Sequence, residues 1–336
     1  MKYLVKLVII CLILTGTQAV KAQQNIQFTQ YIFNAMSVNP AYAGYKEEWY
    51  GQLGLRSQWV GLDGAPQTGS LSIDGITNPI HKRHGVGLQL IADKLGPQSA
   101  TAAYANYAFR LRLNQEDTQR LAIGVAAGVT QYSLDGAVLD PVAVGDQFVP
   151  ASRISNFVPD IRLGLYYNSP YWYAGISMLD LLSGDRATNV FRWDNTTTDL
   201  IRPKRHMYLI AGGLINLDRG VRLRPSLLWK EDFRGPSSLD LNAMFILGEK
   251  LWVGAGWRTG VSVFERDYER FTGNRLSKLN SFSGIIQLVA TERLRVGYSY
   301  DYIVSRLSTV QNGSHELTLG ITFGHREHRV LSPRYF

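Results

Sequence analysis

Past its first 20 residues, this chain of 336 has no apolar run of about 18 residues, the length a helix needs to span a bilayer. Instead it alternates apolar and polar residues with a period of two. This alternation most constrains the fold, because successive side chains of a strand point to opposite faces. In 85–93, Val86, Leu88, Leu90 and Ala92 share one face. Gly85, Gly87, Gln89 and Asp93 share the other, with Ile91 as an exception. In 119–132, Leu121, Ile123, Val125, Ala127 and Val129 oppose Arg120, Ala122, Gly124, Ala126, Gly128 and Thr130. Apolar residues rarely recur at three-and-four spacing, so helix signals are weak.

The pattern predicts 14 strands: 49–60, 67–75, 85–93, 100–113, 119–132, 159–167, 171–179, 206–217, 221–230, 238–247, 251–259, 281–290, 294–303 and 314–323. They are longer than the usual strand of about 5–6 residues and suit a tilted bilayer crossing of about 9–11. The strand charges, among them Arg56, Asp74, Arg120 and Glu316, all fall on the less apolar face. A Lys or Arg facing lipid at mid-bilayer costs about 2–4 kcal/mol. A soluble antiparallel sandwich, apolar inside and polar outside, predicts the same alternation. Strand 206–217 is apolar on both faces and discriminates nothing.

Loop lengths separate the two. Every second connection apart from the first, 76–84, is a tight turn, such as 168–170, 218–220, 248–250 and 291–293. The intervening set contains the long loops 133–158, 180–205 and 260–280. Outer-membrane barrels have short periplasmic turns and longer outside loops, whereas a sandwich has no reason to sort loops by parity. Aromatics near strand ends, including Trp49, Tyr107, Trp172 and Trp257, fit interfacial girdles. The expectation is an all-β chain: a transmembrane antiparallel β-barrel of about 14 strands, outer-membrane type, in one unit over 49–323. Closure pairs every backbone group and leaves no edge. It also explains a mean hydropathy of −0.09, since one face averages against the other.

Residues 1–22 read as a cleaved signal peptide: Lys2 and Lys6, the apolar Leu7–Leu14, then Val20-Lys21-Ala22. Residues 23–48 read as a periplasmic or plugging segment, and 324–336 as a periplasmic tail. The single cysteine, Cys11, excludes a disulfide scaffold. It lies inside the apolar core after Ile10, a poor setting for lipidation. Loss of Lys2, Lys6 and Lys21 lowers the formal charge from +8 to +5. No basic run or aromatic-basic motif points to nucleic acid.

The start of the mature chain is more specific. Gln27-Phe28-Thr29-Gln30-Tyr31-Ile32-Phe33-Asn34 leads to Asn39-Pro40-Ala41-Tyr42-Ala43-Gly44. Arg56-Ser57-Gln58-Trp59-Val60-Gly61-Leu62-Asp63-Gly64-Ala65-Pro66 and Leu71-Ser72-Ile73-Asp74 follow. This block closely resembles the PorP/SprF family of Bacteroidetes outer-membrane proteins, as does the Ser332-Pro333-Arg334-Tyr335-Phe336 end. Family members often carry Cys where this chain has Ser332, so no role of that thiol transfers. The resemblance implies a barrel of the cell outer membrane that works with type IX secretion components. It also implies service to a large secreted protein with a C-terminal sorting domain. SprF-like members pair with gliding adhesins and PorP-like members are machinery parts.

Partner contacts are expected at two segments. The first holds Asn39, Pro40, Tyr42 and Gly44, which otherwise form only a turn starting the barrel wall. The second holds Trp59, Gly61, Asp63, Gly64 and Pro66, which otherwise form a plain hairpin turn. Arg110, Arg112, Asp160, Arg162, Arg222, Arg224, Asp240 and Asp301 are expected to line the lumen, as an aqueous pore or a salt-bridged closed interior. A passive pore for small solutes is therefore the competing function. His81/His84 and His325/His328 form pairs amid Lys82, Arg83, Arg326 and Arg329, which read better as a basic rim for lipid phosphates or an acidic partner than as zinc ligands. No nucleophile, base and orienter converge in the pattern. The chain reads as a non-enzyme without cofactor or metal.

Overall fold

The computed structural model describes residues 28–138, 152–182, 204–233, 237–261, 263, 280–304 and 306–323. The expected signal peptide, the tail with His325 and His328, and most of the three long loops lie outside the described residues.

The strands are β1 (Trp49–Ser57), β2 (Gln67–Ile76), β3 (His84–Leu95), β4 (Gln98–Arg112), β5 (Arg120–Asp135), β6 (Arg153–Asn168), β7 (Trp172–Leu179), β8 (His206–Gly213), β9 (Ile215–Asp218), β10 (Val221–Glu231), β11 (Ser237–Leu247), β12 (Leu251–Val261), β13 (Asn280–Val289), β14 (Leu294–Val304) and β15 (Ser314–Phe323). Neighbours pair antiparallel, and β15 pairs with β1 from Trp49↔Phe323 to Ser57↔His315, which closes the barrel. β8 and β9 together make one stave against β10, so the barrel has 14. Among the described residues, no helix is long and apolar enough to cross a membrane.

The two strand faces are inverted relative to a soluble sheet. Leu53, Leu71, Leu88, Ile123, Leu163, Phe245, Val253 and Ile286 are exposed on the outer wall. Gln52, Ser70, Gln89, Asn106, Asp240, Ser299 and Glu316 are buried inside. Lipid selects this arrangement, and the sandwich alternative would bury the opposite face. Accordingly, Val125→Arg, an outward change near the middle of β5, is expected to lower barrel stability by about 2–4 kcal/mol in a bilayer. Urea unfolding from liposomes measures it. An unchanged midpoint would mean that this face does not meet lipid.

Three boundaries differ from the sequence expectation. β1 ends at Ser57, and Trp59 takes a left-handed φ of 49° just beyond it. β6 starts at Arg153 rather than 159, so the β5–β6 hairpin rises past β7. Pro159, at the expected start, sits inside the β5 ladder opposite Val129. Pairing of β6 with β7 begins only at Leu163, so on that edge the missing N–H of proline has no strand to serve. Strand 206–217 breaks after Gly213, where the β10 register brings Pro225 opposite Gly213 and gives the ladder no donor. The Leu214 N–H donates to Tyr171 O at 2.8 Å, on the β7 side.

Candidate functional site

The lumen is occupied by the chain's own N-terminal segment. Residues 28–45 are buried throughout and form three short 3-10 turns, Thr29–Ile32, Ala35–Ser37 and Pro40–Tyr42. Internal bonds such as Phe33 N to Gln30 O and Tyr42 N to Asn39 O satisfy part of its backbone, and the remaining buried polar groups must be satisfied by the wall.

The first anchor lies near the extracellular end. Arg56 of β1 pairs with Asp301 of β14 at 2.6 Å and with Glu316 of β15 at 2.8 Å. The Thr29 and Gln30 N–H groups donate to the two Glu316 carboxylate oxygens at 2.8 and 3.1 Å. The Thr29 hydroxyl donates to Asp301 at 2.6 Å, and Gln30 Nε2 donates to Glu316 O at 2.8 Å. Desolvating three charges costs several kcal/mol per ion, and these extra hydrogen bonds offset it.

Midway down, Asn242 Nδ2 donates to the Tyr31 hydroxyl at 2.9 Å, and Arg224 donates to Ile32 O at 3.2 Å.

The second anchor is the Asn39-Pro40 step. Proline holds Asn39 extended, with ψ of 114°, and the Asn39 Oδ1 accepts from Ala41 N at 2.9 Å. Asn39 Nδ2 donates to Leu165 O of β6 at 2.9 Å. The Ser177 hydroxyl donates to Val38 O, and Gly44 N donates to Asp74 at 2.8 Å. The wall meets this turn with glycines: a Cβ on Gly124 would overlap the Ala41 backbone nitrogen, and one on Gly85 the Ala43 carbonyl. Gly44 itself needs its left-handed φ of 72°.

The exit is at the periplasmic rim. Glu47 receives Lys82 at 2.8 Å, Arg110 at 3.3 Å and Arg120 at 3.8 Å. Arg120 also pairs with Asp117. The segment thus runs from the extracellular half of the lumen down to the short-turn end before entering β1.

The other inward charges also find partners. Asp240 meets Lys230 at 2.9 Å and Arg258 at 3.0 Å. Asp160 meets Arg162 at 3.3 Å, and the Arg162 guanidinium lies 3.4 Å from the centroid of the Tyr104 ring. Arg112 is exposed at the periplasmic end of β4, and Arg222 reaches Glu249 at 3.1 Å near the same rim. A cavity of about 190 Å³ remains above Phe28, lined by Tyr104, Tyr132, Asp180 and His206.

The turn between β1 and β2 is stitched to its neighbours. Val60 N donates to Gly313 O at 2.9 Å, and Gly96 N to Gly64 O at 2.9 Å. Gly61 and Gly64 have φ of 95° and 72°. Asp63 is exposed and Pro66 buried. His84 bonds the Tyr107 hydroxyl at 2.7 Å on the wall. Sequence reasoning did not single out Thr29, Gln30, Glu47 or the Arg56–Glu316 pair as site residues. The dense polar-aromatic run from Gln27 was the available signal.

The profile of the type IX secretion system membrane protein family PorP/SprF matches residues 20–321. The chain belongs to the PorP/SprF family. No curated protein matches it significantly in sequence. Among solved structures, the CymD monoaromatic hydrocarbon channel is similar over 93% of this chain and 97% of its own, with a TM-score of 0.52 and 14% identity. Omp33 of Acinetobacter baumannii covers 82% of this chain and 99% of its own, with a TM-score of 0.45 and 10% identity. A Pseudomonas aeruginosa FadL homologue covers 87% and 93%, with a TM-score of 0.47 and 12% identity. At such identity the CymD likeness shows the fold alone. The family and the barrel together put this PorP/SprF member in the outer membrane, in association with type IX secretion.

Proposed function

We propose that this PorP/SprF protein is a docking barrel: it engages a secreted surface protein with a C-terminal sorting domain, of the gliding-adhesin type, or the periplasmic machinery. The observation that carries this reading is the filled lumen. A segment buried from Phe28 to Tyr45, tied by Arg56 above and Glu47 below, leaves the two rims as the surfaces on offer. Asn39–Gly44 then sets the lumen floor, and the Gly61–Pro66 turn belongs to the outer surface.

Deletion of 25–44 tests it. Pull-down of a large secreted protein or a periplasmic ring component from native membranes is expected with the intact barrel and lost with the deletion. Unchanged recovery would remove the N-terminal segment from the docking surface. The competing pore function predicts steady single-channel conductance from the intact protein in planar bilayers. The docking reading expects conductance only after the deletion.

A further inference from the structure

The outer wall carries a groove at its extracellular end, over the seam where β15 meets β1. Its volume is about 620 Å³. Gly69 and Ala92 floor it: a Cβ at Gly69 would meet only Leu55 Cδ2, at 3.8 Å. Leu55, Leu317 and Tyr298 form apolar flanks and are exposed on the lipid-facing side.

Lys94, Arg153 and His315 border the groove, and Arg56, Asp93 and Glu316 also belong to its lining. Lys94 and Arg153 are exposed, and neither forms an ion pair among the described residues. Arg153 donates to the Ser99 hydroxyl at 3.3 Å, which holds the guanidinium over the groove. His315 is held by the Tyr298 hydroxyl at 2.7 Å and flanked by the Tyr300 ring at 5.1 Å. In the lumen Arg56 is paired with Asp301 and Glu316, and the exposed Lys94 and Arg153 stand apart from that set.

We propose that this groove binds a phosphate-bearing lipid of the outer leaflet. The apolar flanks suit acyl chain. The cations stand at the depth where head groups begin. A guanidinium and an ammonium in one groove lining match phosphate oxygens, for which Arg offers a planar fork and Lys a point charge. Small residues on the floor let the chain lie flat against the strands. The site stands independently of the docking function.

Native mass spectrometry of the full-length protein in an uncharged detergent tests it. The probe is a synthetic diphosphorylated, acylated glucosamine disaccharide. One bound copy is expected, with affinity falling about 30-fold in the Lys94→Gln/Arg153→Gln double variant, as for the loss of two interfacial cations. Lys250→Gln/Arg219→Gln, at the opposite rim, is expected to leave binding unchanged. Both pairs are exposed, and heat-modifiable migration of the folded barrel checks each variant. Unchanged binding in the groove variant would overturn the proposal. So would equal binding of the dephosphorylated lipid, or displacement by an equal concentration of inorganic phosphate.

Discussion

Replacing Arg56 by methionine is expected to destabilise the folded barrel by about 3–5 kcal/mol, the usual consequence of leaving a buried charge without its partner. Methionine keeps much of the volume, so the effect reports charge rather than a void. Asp301 and Glu316 would then face each other inside the barrel, where their carboxylates were held by one guanidinium at 2.6 and 2.8 Å. The same two carboxylates anchor Thr29 and Gln30. Their protonation or reorientation therefore loosens the upper end of the lumen segment. Two readouts are expected to move together: the urea midpoint in liposomes, and the single-channel conductance of the purified protein. The triple variant Arg56→Met/Asp301→Asn/Glu316→Gln is expected to recover most of the stability, because a neutral buried set avoids the desolvation penalty. If the single variant matched the parent in both assays, the ionic anchor would have no structural weight.

Gly124→Val should release the lower anchor while leaving the barrel closed. By intrinsic preference valine suits a strand better than glycine, so propensity alone predicts stabilisation. The lumen reverses the sign. The Cβ of any residue at 124 overlaps the backbone nitrogen of Ala41. Ala41 cannot retreat without breaking the Asn39 contacts to its own N–H and to Leu165 O. Overpacking of this kind costs about 1–3 kcal/mol, and here it falls on the seat of the Asn39–Gly44 turn. A Ser37→Cys reporter, buried in the parent, is expected to react with a small maleimide about tenfold faster or more in the Gly124→Val background, the rate change of a seat weakened by at least 1.4 kcal/mol. Gly284→Val is the matched control: a Cβ there meets nothing within 4 Å, so no change in labelling is expected. Equal labelling rates in both backgrounds would mean that Gly124 does not seat the turn.

The barrel itself was legible because its signals are local. Period-two alternation, charges confined to one face and the parity of loop lengths each follow from neighbours in sequence, and together they fit a closed wall of 14 staves. The misplaced boundaries had non-local causes. β8 ends at Gly213 because Pro225, a residue on the next stave, stands opposite it. Residues 153–158 extend β6 because β5 continues to Asp135 beside them.

The lumen was legible only in part. Asn39-Pro40 read correctly as a turn, since proline restricts the residue before it. Where that turn goes was not readable: its anchors at Leu165, Ile176 and Asp74 are set by the closure of the wall. The inward glycines suited tight strands in the sequence, and only the structure makes Gly85 and Gly124 seats for a backbone.

By itself, then, the sequence determined which face of most strands meets lipid, 206–217 excepted, because that choice is made residue by residue against a solvent. The tertiary structure alone decided what fills the interior. Arg56, Asp301 and Glu316 become one anchor only when β15 returns to β1, and a closed ring brings together what the chain holds more than 200 residues apart.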